Sequence, residues 1–185
     1  MRTSVNRMMR ITQKLKWQAL INIFFLTFFL SACHESSEIN PSEKELINED
    51  LILPSSFNAL GLLNHLNKVR LEGCECEGES MPAVGSLVWN NLLYEAAQRH
   101  SEDMFQNNFL DHIGSDNSTF TERVNETGYP WRLLGENLAR GNFSEESVIE
   151  AWKRSGVHCR LMMQADFLEI GVGKKEQFWT MILAR

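Results

Sequence analysis

The chain has 185 residues, with 24 Asp and Glu against 18 Lys and Arg and a formal net charge of −6. That length suits one domain with a sizeable core. The excess of acid gives a field that repels nucleic acid, which argues against a nucleic-acid-binding protein.

The charge is unevenly placed. The opening stretch MRTSVNRMMRITQKLKW carries Arg2, Arg7, Arg10, Lys14 and Lys16 and no acid, and the apolar run ALINIFFLTFFL follows it. A basic segment and a short apolar run have the form of an export signal, and the run is too short for a clear membrane span. It ends in Leu30-Ser31-Ala32-Cys33, small residues before a cysteine, in the manner of a bacterial lipobox. The expectation is a lipoprotein signal peptide over residues 1–32, cleavage before Cys33, and acyl chains on its thiol. An uncleaved N-terminal anchor is the alternative. His34 after the cysteine, rather than Asp, points to the outer membrane if the cell has two.

Cleavage would leave 13 of the 18 Lys and Arg with all 24 acids, a charge near −11 (13 − 24). Attachment to the cell envelope would then come from acyl chains, not from a basic patch. Residues 33–55 are acidic, with prolines and serines, and read as a tether. The folded domain is expected over residues 56–185.

Along the domain, Phe57, Leu60, Leu63, Leu66 and Val69 recur at helical spacing and Gly73 closes the run, so a first helix is expected. His65 falls off this stripe and reads as solvated. GCECEGESMPAVG, with its acids, glycines and proline, reads as a loop. SLVWNNLLYEAAQRHSEDMFQNN is the strongest helix, with Leu93, Ala96, Ala97, His100 and Met104 on its buried face. His100 there reads as a core histidine with a hydrogen-bond acceptor.

FLDHIGSDNST is loop-like. Thr119 and Glu122 form a capping-box pattern ahead of a short helix that ends at Gly128. YPWRLLGENLARGN is irregular, with room for a strand. Ser144 caps a helix carrying Val148, Ile149 and Trp152. FLEIGVGKKEQFWTMILA reads as two strands around KKEQ. Helices followed by a terminal hairpin argue for an α+β domain.

Three cysteines remain beyond Cys33: Cys74, Cys76 and Cys159. Outside the cytoplasm thiols tend to pair, and an odd count leaves one over. SGVHCRLMM, Ser155 to Met163, admits three readings: a nucleophile with its base, half of a metal site, or a disulfide end beside a surface histidine. Polar residues with glycine, serine or asparagine neighbours also occur at His112 and Glu136.

The ordered set LNKVR, LVWNNLLYEAAQRHSEDM, FLDHIGSD, ERVNETGYPW, GENLARG, AWKRSGVHC and EIGVG…FWTMI resembles the bacterial branch of the CAP superfamily (cysteine-rich secretory protein, antigen 5 and pathogenesis-related proteins), whose fold is the SCP domain. The resemblance runs from about Leu63 to Ala184. It implies a three-layer α-β-α sandwich with a central antiparallel sheet. It also implies a cleft where His112, Glu136 and His158 converge, able to hold Zn2+ or another divalent metal, with Ser155 and Asn137 beside it. Ser155 stands where relatives place a second acid, and serine is a poor zinc ligand. Two His and one carboxylate can still hold zinc with water in the open position.

Relatives with a cysteine after the second histidine pair it with one near the first helix, which implies Cys159 with Cys76, or with Cys74 as the alternative. The chain has Ser-Gly-Val-His where the family has Ser-Pro-Gly-His, which implies a looser loop. Asn117 replaces a common glycine, and asparagine tolerates the left-handed backbone such a turn needs.

The function expected is a lipid-anchored, monomeric envelope protein whose cleft binds a metal or a small-molecule, lipid or protein ligand. The alternatives are a zinc-dependent ester or peptide hydrolase with Glu136 as base, and a non-catalytic structural domain. The sequence has neither a nucleophile-elbow motif nor a helical zinc-protease motif, which favours binding over hydrolysis.

Overall fold

A computed structural model describes residues 51–185. The export signal, Cys33 and the tether up to residue 50 lie outside the described residues. Among the described residues, no helix is long and apolar enough to cross a membrane.

The elements run α1 (Ala59–Glu72), β1 (Cys74–Cys76), β2 (Glu79–Met81), β3 (Val88–Trp89), α2 (Asn91–Asn107), α3 (Phe120–Glu126), β4 (Leu134–Arg140), α4 (Glu145–Lys153), α5 (Gly156–Met162), β5 (Glu169–Lys175) and β6 (Phe178–Ala184). The main sheet has the order β3-β5-β6-β4. Its β4–β6 and β5–β6 pairings are antiparallel. The expected all-antiparallel sheet is altered only at the edge, where Val88 and Trp89 pair parallel to Glu169 and Ile170.

Strand alternation sends side chains to opposite faces of the sheet. Ile170, Val172, Trp179, Met181 and Leu183 form one core with Leu62 and Leu66 of α1, Ile149 and Trp152 of α4, and Met162 of α5. On the other face Ile182 and Ala184 meet Leu93, Ala96 and Ala97 of α2 and Val124 of α3. The result is helix, sheet, helix, in three layers.

Local chemistry explains where the helices start. Asn90 caps α2, its side chain accepting from Leu92 N and Leu93 N, which satisfies backbone donors with no helical partner. Thr119 and Glu122 form the expected capping box on α3. Ser144 caps α4, with Ser147 as its reciprocal partner.

The EIGVG segment lets α2 lie hard against the sheet. A Cβ on Gly171 would fall 2.1 Å from Tyr94 N, and one on Gly173 would fall 2.3 Å from Gln98 N. Only glycine permits that approach.

The structure departs from the sequence expectations in further places. GCECEGESMPAVG is not a plain loop; it contains the hairpin β1–β2, turning at Glu77 and Gly78, both with positive φ. The second helix begins at Asn91 rather than Ser86, because Val88 and Trp89 are taken into the sheet edge. His65 is half-buried, with Nε2 3.6 Å from Glu150. SGVHCRLMM is largely the helix α5, not a loose loop, and Ser155 stands at its N-cap without a side-chain bond.

Residues at the end of the proposed tether are held on the domain. Ile52 N donates to Asn91 Oδ1 at 2.9 Å, Trp89 Nε1 donates to Ile52 O at 3.2 Å, and Leu51 packs on the core.

Candidate functional site

His112 sits in the loop after α2, and three residues hold that loop in place. His100, fully buried on α2, donates from Nε2 to Asp111 O at 2.8 Å. Burial pushes the His100 pKa below its ordinary value, and because the Asp111 carbonyl can only accept, Nε2 is the nitrogen that carries the proton. The expectation of a core histidine with an acceptor holds. Asp103, also on α2, accepts from Ser115 N at 2.8 Å and from Ser115 Oγ at 2.5 Å. Arg123 on α3 donates to His112 O at 3.2 Å and to Ser118 O at 2.9 Å. Asn117 adopts the left-handed conformation, with φ 69°.

Glu136 comes from β4, the sheet's edge strand, through alternation. Leu134, Glu136 and Leu138 point to the α2–α3 side, and Gly135, Asn137 and Ala139 to the α5 side. The Glu136 side chain is fully enclosed. Oε1 accepts from His112 Nδ1 at 2.8 Å, and Oε2 accepts from Arg123 Nη2 at 2.7 Å. The Glu136 bond raises the His112 pKa, with burial opposing it. With Nδ1 donating inward, the neutral His112 ring keeps its Nε2 lone pair. The side chain is 51% exposed.

His158 lies on α5, half-buried. Burial and, after it, the nearness of His112 lower its pKa. Asn137 Nδ2 donates to His158 O at 3.1 Å. The next residue, Cys159, is joined to Cys76 by a disulfide with Cα atoms 5.5 Å apart. Cys74 is free. Cys159 is therefore no nucleophile for His158.

The structure thus brings His112 and Glu136 into direct contact and puts His158 within electrostatic range of His112. Glu136 bonds neither Ser155 nor His158 among the described residues, so a Ser-His-Glu triad is not assembled.

Two residues escaped the sequence reading. Arg123 is nearly buried and ties Glu136 to the His112 loop. Arg70 is fully buried on α1 and donates to Gly85 O, Met162 O, Gln164 O and Phe167 O, at 2.8, 2.5, 3.1 and 3.2 Å. It braces the C-terminal end of α5, the helix carrying His158. Sequence offers only a weak signal for either: Arg70 lies between Val69 and Leu71 near the end of the 14-residue α1, and Arg123 between Glu122 and Val124 in the seven-residue α3.

A three-layer sandwich with His112 bonded to a buried glutamate on its edge strand is the arrangement that the comparison with known proteins meets. Residues 63–180 match the family model of the cysteine-rich secretory protein family, CAP. The chain belongs to this family.

The uncharacterized protein YkwD of Bacillus subtilis is 28% identical over 142 residues, 76% of this chain and 52% of its own. The uncharacterized membrane protein YlbC of the same organism is 28% identical over 97 residues, 52% of this chain and 28% of its own. The chain thus spans about half, or less, of the curated relatives it matches. An extracellular SCP-domain protein from Bacillus anthracis superposes with a TM-score of 0.62 at 22% identity, covering 80% of this chain and 44% of the other. An outer surface protein of Borrelia burgdorferi superposes with a TM-score of 0.58 at 17% identity, covering 68% and 90%. At these identities the two structures speak to the fold.

Proposed function

We propose that this protein is a lipid-anchored binding module of a bacterial cell envelope, with His112 and His158 holding a divalent metal or the polar group of a ligand. The observation that carries the reading is the double pairing of Glu136. Both its oxygens are engaged by cationic or donor groups, so it orients the His112 ring and is not free to act as a general base. That favours binding over the alternative of a zinc-dependent hydrolase.

The donor chemistry suits a metal such as Zn2+. A neutral His112 would offer Nε2, His158 has a pKa that favours the neutral ring, and water would fill the remaining positions. Glu136 is better placed as support for His112 than as a ligand. Ser155 adds no carboxylate, which implies modest affinity. When bound, the metal would supply a Lewis-acid contact for an anionic or carbonyl group. Acyl chains on Cys33 would supply the membrane attachment, in the outer membrane of a diderm cell. The acid excess makes nucleic acid an unsuitable partner.

The test is thermal unfolding of the full-length protein with and without zinc. Binding raises the melting temperature by mass action. His112→Ala with His158→Ala should remove the shift; an equal shift in that double variant overturns the metal site. For the anchor, Cys33→Ser should move the protein out of the membrane fraction, and unchanged fractionation counts against it.

A further inference from the structure

β1 presents two cysteines on one face. Residues i and i+2 of a strand point the same way, so Cys74 and Cys76, on either side of Glu75, both face α5. Cys159 is bonded to Cys76, yet its Sγ also lies 3.7 Å from Cys74 Sγ. Cys74 Sγ is 4.0 Å from Cys76 Sγ. One free thiol therefore rests against both atoms of a disulfide.

We propose that Cys74 is a built-in exchange thiol that displaces Cys76 from Cys159, so that the chain interconverts between a Cys76–Cys159 and a Cys74–Cys159 bridge. The Cys74 thiolate attacks Cys159 Sγ. The Cys74–Cys159 bond forms as the Cys76–Cys159 bond breaks, and the electron pair leaves on Cys76 Sγ, which takes up the proton that Cys74 released. One disulfide and one thiol are present before and after, and no oxidant or reductant is consumed. Attack on Cys159 is favoured over attack on Cys76. It is the nearer sulfur, and a Cys74–Cys76 bridge would span Cα atoms about 6.6 Å apart in an extended strand, near the upper limit for a disulfide.

The near-equal distances place the thiol beside the bond rather than on its axis, and displacement wants an in-line approach. The hairpin β1–β2 can supply that movement, because it forms its own two-stranded sheet and shares no strand pairing with the main one. Burial raises the Cys74 pKa, with Glu75 and Glu150 adding to the rise and Lys153 opposing it. The thiolate is scarce at neutral pH, so exchange is slow there and quickens under alkaline conditions. Exchange would turn a half-buried free thiol at Cys74 into one at Cys76, a fully buried position. It would also move the attachment of Cys159 by two residues along β1. His158 precedes Cys159, so its place in the cleft would depend on which bridge is present; this last consequence rests on the binding reading above, and the exchange does not.

The experiment uses the full chain, kept native at neutral and mildly alkaline pH, quenched in acid, alkylated with N-ethylmaleimide and cut with a glutamate-specific protease. That enzyme cuts after Glu75, between the two cysteines, and the Cys33 peptide separates on its own. Mass spectrometry should find both cross-links, the Cys74–Cys159 species rising with time at alkaline pH to a plateau. Cys76→Ser should carry Cys74–Cys159 in place of the lost bridge. A wild-type chain with Cys76–Cys159 as its sole cross-link at every pH and time overturns the proposal. Neither readout involves metal, His112 or Glu136, so a failure here is distinct from a failure of the binding reading.

Discussion

Arg123 and Glu136 form an enclosed ion pair, Nη2 to Oε2 at 2.7 Å, with the glutamate side chain wholly buried and the arginine side chain only 7% exposed. Breaking such a pair from one side leaves a charge buried without its partner. Arg123→Ala should therefore cost about 3–5 kcal/mol in urea unfolding. A double change to apolar residues of similar volume, Arg123→Met with Glu136→Leu, should recover much of the loss while weakening any metal binding. A cost for Arg123→Ala no larger than that of a typical surface change would show that the pair is not buried in solution.

The histidines respond to pH in opposite senses. The Glu136 bond raises the His112 pKa above its ordinary 6.5. Its contribution to stability is therefore complete below that value and fades as pH climbs through the raised one. Burial lowers the pKa of His158 and His100, so their contributions are present above 6.5 and are lost as pH falls through the lowered values. In an NMR titration of the ring protons, His112 should lose its proton at the highest pH of the three. His112→Ala should differ from wild type most below pH 6.5, and the gap should close as pH rises. His158 losing its proton above His112 would contradict the geometry.

Metal binding should carry the same signature. A metal on His112 competes with the proton that the Glu136 bond favours. The zinc-dependent shift in melting temperature should weaken as pH falls, more steeply than for His112→Ala. A shift independent of pH would point to ligands other than histidine.

The glycine pair under α2 gives a test of the packing. Gly173→Ala places a methyl group against the Gln98 backbone, at an ideal distance of 2.3 Å. Backbone cannot give way as a flexible side chain can, so the variant should lose about 1–3 kcal/mol or more of stability. Equal stability would mean that α2 can lift from the sheet at little cost.

Cys159 is the common partner of either bridge. The disulfide spans 83 positions of sequence, a long loop whose closure constrains the unfolded chain. Cys159→Ser should lower stability by about 4–5 kcal/mol on the chain-entropy account, measured without reductant. Wild-type protein denatured without reduction should show one alkylatable thiol among Cys74, Cys76 and Cys159. Three would exclude the bridge.

Four of the five helices were readable because their signals are local, and α5, within SGVHCRLMM, was not. Apolar residues recur at helical spacing in α1, α2 and α4, and Thr119 and Ser144 sit where their capping bonds form. The strands β5 and β6 declared themselves by alternation. The β1–β2 hairpin did not, because Cys-Glu-Cys and Glu-Ser-Met carry neither the β-branched residues nor the apolar face that mark a strand. It depends instead on the Glu77–Gly78 turn and on a distant cysteine.

The site was half legible. His112 and Glu136 could be set side by side through the family resemblance, whereas Arg123 could not. A charged residue in a seven-residue helix is by default a surface residue, and its partners, Ser118 O, His112 O and Glu136, converge only after folding. Arg70 hid for the same reason, three of its four acceptors lying more than 90 residues away.

Three consecutive residues of β4 do three unrelated jobs. Gly135 makes room for Leu161 and Phe167, Glu136 receives Arg123 and His112, and Asn137 holds the His158 carbonyl. Which job each performs is fixed by the pairing of Glu136 with Ile182 and Asn137 with Met181. A slip of one position between β4 and β6 would turn every side chain to the opposite face. A one-residue insertion or deletion in the Gly141–Asn142 bend is harmless only if the bend absorbs it; passed into the strand, it would exchange the carboxylate and the amide and send each to the wrong neighbours. The work of this short stretch therefore depends on spelling and on frame together.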